Sequence, residues 1–198
     1  ISLAEGGISF SATDISIPLN MAINAVISRS YDRLSGQNER EGAEFGDWKL
    51  DLPRIESTYL KGDGSGSYTP NYYSTRACTE VLAPGPIMAA LGQNINQHEY
   101  WNGATLTIPG QGGGKLLNHS TNGTYGTIDN MAIDCGEDSS GNEYFIVKTP
   151  TGLTYTLKQR RIIQGDSLVR SNKSVTRKRL LYLVTEIADR FGNKLNYQ

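Results

Sequence analysis

The sequence contains few of the residues from which chemical sites are built. It has two cysteines, two histidines and two tryptophans among 198 residues. Two cysteines are too few for a zinc site made of cysteines alone. No apolar run approaches the roughly 20 residues that a membrane-spanning helix needs, so we expect no membrane span. The net charge of −1 gives no overall attraction to nucleic acid, and we expect no nucleic-acid partner.

The two ends of the chain also lack features that a whole protein would show. The first residue is Ile1, no signal peptide is visible, and the last residues follow a hairpin pattern that breaks off. We therefore expect the chain to be a piece of a longer polypeptide.

Glycine and tyrosine are abundant, and they favour strands joined by turns. The chain has 22 glycines and 11 tyrosines, and alternating apolar residues recur in short runs such as 14–19 and 144–148. Residues 48–55 alternate in the same way and read as one half-buried strand. The pattern predicts an all-β fold of antiparallel β-hairpins and a meander sheet, with at most one short helix near 86–92, around 87–91.

No linker divides the chain, and we expect a single β-rich domain over residues 1–198. Residues 1–60 are strand-like, and 61–125 form a loop-rich excursion. Residues 126–198 read as hairpins that end in a repeat-like turn.

The two cysteines leave two interpretations open. Cys78 and Cys135 are either separate thiols or the two halves of one disulfide. We favour the disulfide, because both cysteines lie beside strand-like segments and exported proteins favour such bonds. It would close a long loop and contribute about 4 kcal/mol on the chain-entropy account.

An acidic cluster is the first candidate for chemistry, since paired carboxylates serve in glycoside hydrolysis and in calcium binding. The calcium pattern of alternating ligands with an enforced glycine is not met, and a solvated turn beside a strand explains the cluster better. The cluster comprises Asp129, Asp134, Glu137 and Asp138.

Two other patterns point to chemistry only weakly. Residues 110–115 look like a phosphate loop, but Leu116 stands where a serine or threonine would bind magnesium, so a flexible turn is the better interpretation. His98 and His119 have no metal-ligand spacing. We therefore predict no catalytic residue, no cofactor and no metal site.

The aromatic residues and the basic residues can each be interpreted in two ways, as a binding site or as a structural feature. The basic residues of 160–179 fit a solvated strand face better than a nucleic-acid site, because few aromatics interleave with them. Five aromatics could form a sugar-stacking platform, but alternating aromatics in strands usually belong to a core. These five are Trp48, Trp101, Tyr144, Phe145 and Tyr155.

The last ten residues carry the most informative pattern: after the apolar run 180–188, which reads as a strand, they form a tight turn and the start of a returning strand. The carboxylate of Asp189 can cap the turn, and Gly192 and Asn193 tolerate positive φ. Leu195 and Tyr197 then alternate as in a strand.

This D-R-F-G-N turn with its following tyrosine resembles the repeat unit of the RHS/YD-repeat family. Further blocks are similar to that family in the same order, including the D-I-S-I-P and R-S-Y segments, although the F-G-D-W block lacks the second glycine of the commonest form. The blocks lie at 14–18, 29–32, 45–53, 100–117 and 145–155.

The resemblance implies a large exported polymorphic toxin of bacterial competition, in which the repeats build a β-sheet shell that encapsulates a C-terminal toxin. The chain would be the N-terminal part of the RHS core: a non-catalytic structural module, secreted or at the cell surface, whose partner is the rest of the same polypeptide. An exposed strand edge would favour self-association. The implied structural residues are Asp14, Pro18, Arg29, Tyr31, Trp48, Trp101, Gly110, Gly152, Asp189, Gly192, Asn193 and Tyr197.

Two other functions remain open on the sequence. A carbohydrate- or receptor-binding β domain at a cell surface would need an exposed tryptophan or tyrosine in a groove. An enzyme that uses the carboxylates of 129–138 would need those side chains to converge.

Overall fold

The computed structural model describes a β protein, which confirms the predicted fold class. In the described ranges there are fifteen strands, no helix, and antiparallel pairing throughout. The described residues are 9–18, 23–32, 48–60, 78–79, 87–89, 93–95, 103–118, 124–170 and 173–198.

The short helix expected near 86–92 is wrong. Its described residues form strand β5 (Ile87–Ala89), which pairs with β6 (Gln93–Ile95). Pro86 and Gly92 leave only five residues between them. So short a segment gains too few hydrogen bonds to offset helix nucleation, whereas strand pairing satisfies its backbone directly.

Three strands near the N-terminus form a small sheet. Strands β1 (Ser9–Pro18), β2 (Asn24–Asp32) and β3 (Lys49–Asp51) lie in the order β1-β2-β3. The register of β1 on β2 shifts between Thr13 and Ile15, so Asp14 is the extra residue of a β-bulge.

Ten strands form the large sheet that holds the core. From one end their order is β8-β7-β4-β14-β13-β12-β11-β10-β9, and β15 pairs with β14 beyond the end of β4. The strands are β4 (Arg54–Leu60), β7 (Thr105–Ile108), β8 (Gly112–Lys115), β9 (Leu117–Asn118), β10 (Tyr125–Gly126), β11 (Ala132–Glu137), β12 (Glu143–Lys148), β13 (Thr154–Arg170), β14 (Lys173–Ala188) and β15 (Lys194–Asn196).

The two ends of the large sheet meet, so the sheet is nearly closed. Its end strands β8 and β9 are separated along the chain by the single residue Leu116. The N–H of Gly113 in β8 donates to Asp129 Oδ2 at 2.8 Å, which adds a contact across the closure. The expected flexible turn over 110–114 is therefore wrong for 112–114, because pairing with β7 draws this glycine-rich segment into the sheet.

The closed sheet surrounds an apolar core. Phe145 is 2% exposed and its ring meets that of Tyr182 edge to face, with centroids 5.1 Å apart. Tyr155 is 4% exposed, so the interpretation of Phe145 and Tyr155 as core residues is confirmed. Other buried members are Ile55, Leu106, Ile108, Ile133, Val147, Leu157, Leu180, Val184 and Ile187.

The single strand expected over 48–55 is divided between the two sheets. Strand β3 ends at Asp51 and β4 begins at Arg54, so Pro53 lies between them. Proline has no backbone N–H and cannot continue a ladder, but its carbonyl accepts the N–H of Val184 at 3.0 Å. The proline therefore ends one sheet and anchors the start of the other.

Candidate functional site: the turns and the cleft of the closed sheet

The Asp189 turn joins β14 to β15 through a dense set of hydrogen bonds. Its backbone bonds run from Asp189 N–H to Asn193 O (3.0 Å) and from Gly192 N–H to Asp189 O (3.2 Å), and Gly192 has φ 87°. Asp189 Oδ1 accepts the N–H groups of Phe191 (2.8 Å) and Asn193 (3.0 Å), and Oδ2 accepts Asn193 Nδ2 at 2.8 Å. The hydrogen bond from the Asn193 side chain, with the backbone donors, holds the pKa of Asp189 below its usual value.

The turn between β11 and β12 has the same construction. Asp138 N–H donates to Asn142 O (2.9 Å), Gly141 N–H donates to Asp138 O (3.0 Å), and Gly141 has φ 77°. Asp138 Oδ1 accepts the N–H groups of Ser140 and Asn142, both at 2.9 Å, and these bonds lower its pKa. D-S-S-G-N at 138–142 therefore matches D-R-F-G-N at 189–193 in sequence and in geometry, a repeat that our sequence analysis missed although the letters show it.

Two further turns repeat the backbone pattern with threonine in the first position. Thr149 N–H donates to Leu153 O at 2.9 Å, and Thr149 Oγ1 accepts the N–H of Leu153 at 3.2 Å. Thr127 and Met131 make the corresponding bonds at 3.1 and 3.4 Å. Gly152 (φ 85°) and Asn130 (φ 57°) occupy the left-handed position. Four hairpins of one sheet thus close with one type of turn.

The small sheet brings four of the implied motif residues together. Arg29 forms two hydrogen bonds of 2.6 Å to the carboxylate of Asp14. The Arg29 guanidinium lies 5.5 Å from the centroid of the Trp48 ring, and Tyr31 lies 5.9 Å from the same ring, centroid to centroid. Asp14, Arg29, Tyr31 and Trp48 therefore form one cluster from β1, β2 and the residue before β3, while Pro18 ends β1 opposite Asn24.

The remaining implied residues lie elsewhere. Gly110 is in the turn between β7 and β8 with φ 76°. Tyr197 follows β15, and its N–H donates to Thr185 O at 2.9 Å. Trp101, His98 and His119 lie outside the described residues.

Cys78 and Cys135 form a disulfide, with Cα atoms 5.7 Å apart. Hydrogen bonds also hold the segment 78–79. Glu143 Oε2 accepts the N–H groups of Cys78 (2.9 Å) and Thr79 (2.8 Å), and Oε1 accepts Thr79 Oγ1 at 2.6 Å. The Tyr125 hydroxyl donates to Cys78 O at 2.7 Å. The segment is thus fixed to three strands of the large sheet, β10, β11 and β12.

The carboxylates of 129–138 serve separate structural contacts. Asp129 accepts Gly113 N–H, Asp134 pairs with Lys148 at 2.9 Å, and Asp138 caps its own turn. Glu137 is exposed. Within the described ranges no group of three or more His, Cys, Asp or Glu side chains is placed to hold a metal ion.

Part of the basic C-terminal region is bound to the sheet itself. Burial favours the neutral form of Glu56, but Arg179 at 3.1 Å and Arg54 at 3.0 Å outweigh it and lower the pKa of Glu56. Arg179 therefore contacts an acidic residue of the neighbouring strand β4.

The sugar-stacking platform, the less favoured interpretation of the five aromatics, is not assembled by its described members. Phe145 and Tyr155 are buried, and Lys158 lies over the Tyr144 ring at 5.2 Å. Trp48 precedes β3 and packs on Tyr31 of the small sheet. These four aromatics thus do not share one exposed face.

A cleft of about 630 Å³ lies between the two sheets. Residues of β1, β2 and β3 line one wall, and residues from the β7–β8 turn, β13 and β14, together with Tyr197, line the other. Gln111 lies in this second wall. Its Nε2 donates to the Tyr155 hydroxyl oxygen at 2.9 Å, and its Oε1 accepts Thr151 Oγ1 at 3.4 Å.

Comparisons with protein-family models, with curated proteins and with solved structures find no match for this chain. Among the described residues there is no helix of the length and apolarity required to cross a membrane.

Proposed function

We propose that the chain is a non-catalytic structural segment of an exported RHS-type protein, and that its sheet forms part of a β-shell around a C-terminal toxin. The observation that carries the proposal is the repeated turn. Two D-x-x-G-N turns and two threonine variants close four hairpins of one sheet with the same backbone hydrogen bonds. A wall built of hairpins needs a turn that fixes register each time, and this turn does so with side-chain bonds of its own.

The distribution of the side chains supports a wall more than a catalyst. Three of the four acidic residues that a hydrolase would use cap a turn or bind a neighbouring strand: Asp129, Asp134 and Asp138. Asp138 has a lowered pKa, whereas a general acid needs a raised one.

The edge of β15 is consistent with a wall that continues. In the described part of the chain β15 pairs with β14 alone. An unpaired edge next to a repeat-type turn is where a further hairpin would add its strand. Pairing with a second copy of the chain at this edge remains a prediction.

The proposal is tested on the parent polypeptide. We expect the sequence beyond Gln198 to contain repeated D-x-x-G-N-x-x-x-Y units, and a continuation without such units would contradict the proposal. Limited proteolysis of the parent protein should leave a C-terminal segment protected. The variant Gly192→Val, which strains the turn, should expose that segment, whereas Gly192→Asn should retain most of the protection because asparagine tolerates this backbone conformation.

A further inference from the structure

The cleft between the two sheets has the size and lining of a ligand site. Its volume of about 630 Å³ falls within the range of small-molecule sites in proteins. Most of its lining residues lie on or next to strands of the two sheets, and strands hold side chains more firmly than loops do.

The wall from the small sheet is rich in hydroxyl groups. Ser11, Thr13 and Ser28 line the cleft, and Thr13 lies directly opposite Ser28 in the strand register. Each hydroxyl can donate one hydrogen bond and accept others. This face of the small sheet is the opposite of the one that carries Arg29 and Tyr31, because side chains alternate along β2.

The wall from the large sheet presents an oriented donor. The oxygen of the Tyr155 hydroxyl accepts Gln111 Nε2, so the hydroxyl hydrogen remains for another acceptor. Burial raises the pKa of Tyr155 to about 12, which keeps this hydrogen in place at neutral pH. Gln111 is held at both ends of its amide, by Tyr155 and by Thr151.

The charge of the lining selects against anions. Asp51 is the one charged side chain among the described lining residues, and no lysine, arginine or histidine is found there. The aliphatic residues Ile108, Leu153 and Ile187 also line the cleft. A ligand that matches this lining has many neutral hydroxyls and also apolar C–H surface.

We propose that the cleft binds a neutral saccharide of a few sugar units. Hydroxyls that both donate and accept would pair with those of Ser28 and Tyr155, and the C–H faces of the sugar rings would pack on the aliphatic residues and on the half-buried ring of Tyr197. The site is distinct from the aromatic platform considered above, and it does not depend on the proposed wall function.

The experiment titrates the 198-residue chain with neutral disaccharides (maltose, cellobiose, lactose and chitobiose) by calorimetry and by saturation-transfer NMR. We expect saturable binding of at least one sugar. Tyr155→Phe removes one hydroxyl from the large-sheet wall, and Ser28→Ala removes one from the small-sheet wall. Each should weaken binding by about tenfold, the effect of one hydrogen bond. Tyr144→Phe is the matched control, since Tyr144 lies on the other side of β12 from the core residue Phe145, and it should bind as the wild type does.

Thermal unfolding of each variant separates loss of a contact from loss of the fold. Three results would overturn the proposal: no saturable binding of any of the four sugars, binding that Tyr155→Phe and Ser28→Ala leave unchanged while both variants remain folded, or binding of an extended peptide library in the cleft with no sugar competing.

Discussion

Asp189 and Asn193 hold the last hairpin together by both backbone and side chain. Asp189 N–H donates to Asn193 O at 3.0 Å, while Asn193 Nδ2 donates to Asp189 Oδ2 at 2.8 Å. Asp138 and Asn142 repeat the backbone bond at 2.9 Å, and Asn142 Nδ2 lies 3.3 Å from both oxygens of Asp138. The same pair of residue types thus builds two turns of one sheet.

The first prediction concerns the left-handed position of this turn. Gly192→Val should lower the free energy of unfolding by about 1–2 kcal/mol, because a residue with a Cβ is strained at φ 87°. Gly192→Asn should cost less, since Asn130 already occupies the equivalent position at φ 57°. Urea unfolding monitored by circular dichroism measures both. Equal stability of the valine and asparagine variants would refute the assigned turn geometry.

The second prediction concerns acid. The pKa values of Asp189 and Asp138 are lowered by hydrogen bonds from their own turns, with Asn193 and Asn142 the leading donors. A depressed folded-state pKa stabilises the fold above the ordinary value of 3.8, and this contribution is lost as the pH falls below it.

The melting temperature should therefore fall as the pH decreases from about 4, the ordinary aspartate range. The double variant Asp138→Asn, Asp189→Asn should show a shallower fall, because asparagine does not titrate. The same slope in wild type and double variant would show that other groups govern the acid response.

The third prediction concerns the disulfide. Cys135→Ser should lower the free energy of unfolding by about 4 kcal/mol under oxidising conditions, since the bond closes a loop with a sequence separation of 57. Under a reducing agent the wild type and the variant should be similar in stability. Denaturant unfolding with and without dithiothreitol measures both stabilities. If Cys135→Ser were as stable as the wild type under oxidising conditions, the prediction would be wrong.

The fourth prediction concerns the closure of the large sheet. A Cβ at Gly113 would overlap the backbone carbonyl of Leu106 in the paired strand β7. Gly113→Ala should therefore disrupt the β7–β8 pairing and increase amide exchange in β8. Gly110→Ala is the control, because it shares a positive φ but meets no atom within 4 Å. If the amides of β8 exchange at the same rate in both variants, the close approach of Gly113 to Leu106 does not stabilise the pairing of β8 with β7.

The sequence predicted single strands and turns well, and the pairing of strands poorly. The alternation in 144–148 and the letters of the Asp189 turn each identify a strand or a turn, because the cause lies within a few residues. The helix expected around 87–91 and the flexible turn over 112–114 failed for one reason: pairing with the neighbouring strand of a hairpin, β6 in one case and β7 in the other, overrode the pattern within the segment itself. Pro53 lies within the run 48–55, which reads as a single strand in the sequence. In the structure it lies between β3 of the small sheet and β4 of the large sheet.

The candidate sites divide in the same way. The spacing of D-x-x-G-N determines the turn by itself, since the carboxylate reaches N–H groups two and four residues ahead. The cleft has no counterpart in the sequence pattern. Its walls come from residues more than 100 positions apart, such as Thr13 and Tyr155, and only the closure of one sheet and the placement of the other bring them together. The hydrogen bonds of the turn join residues within a few positions of one another, so the sequence determines them. The cleft forms only where strands that are distant in the sequence come together.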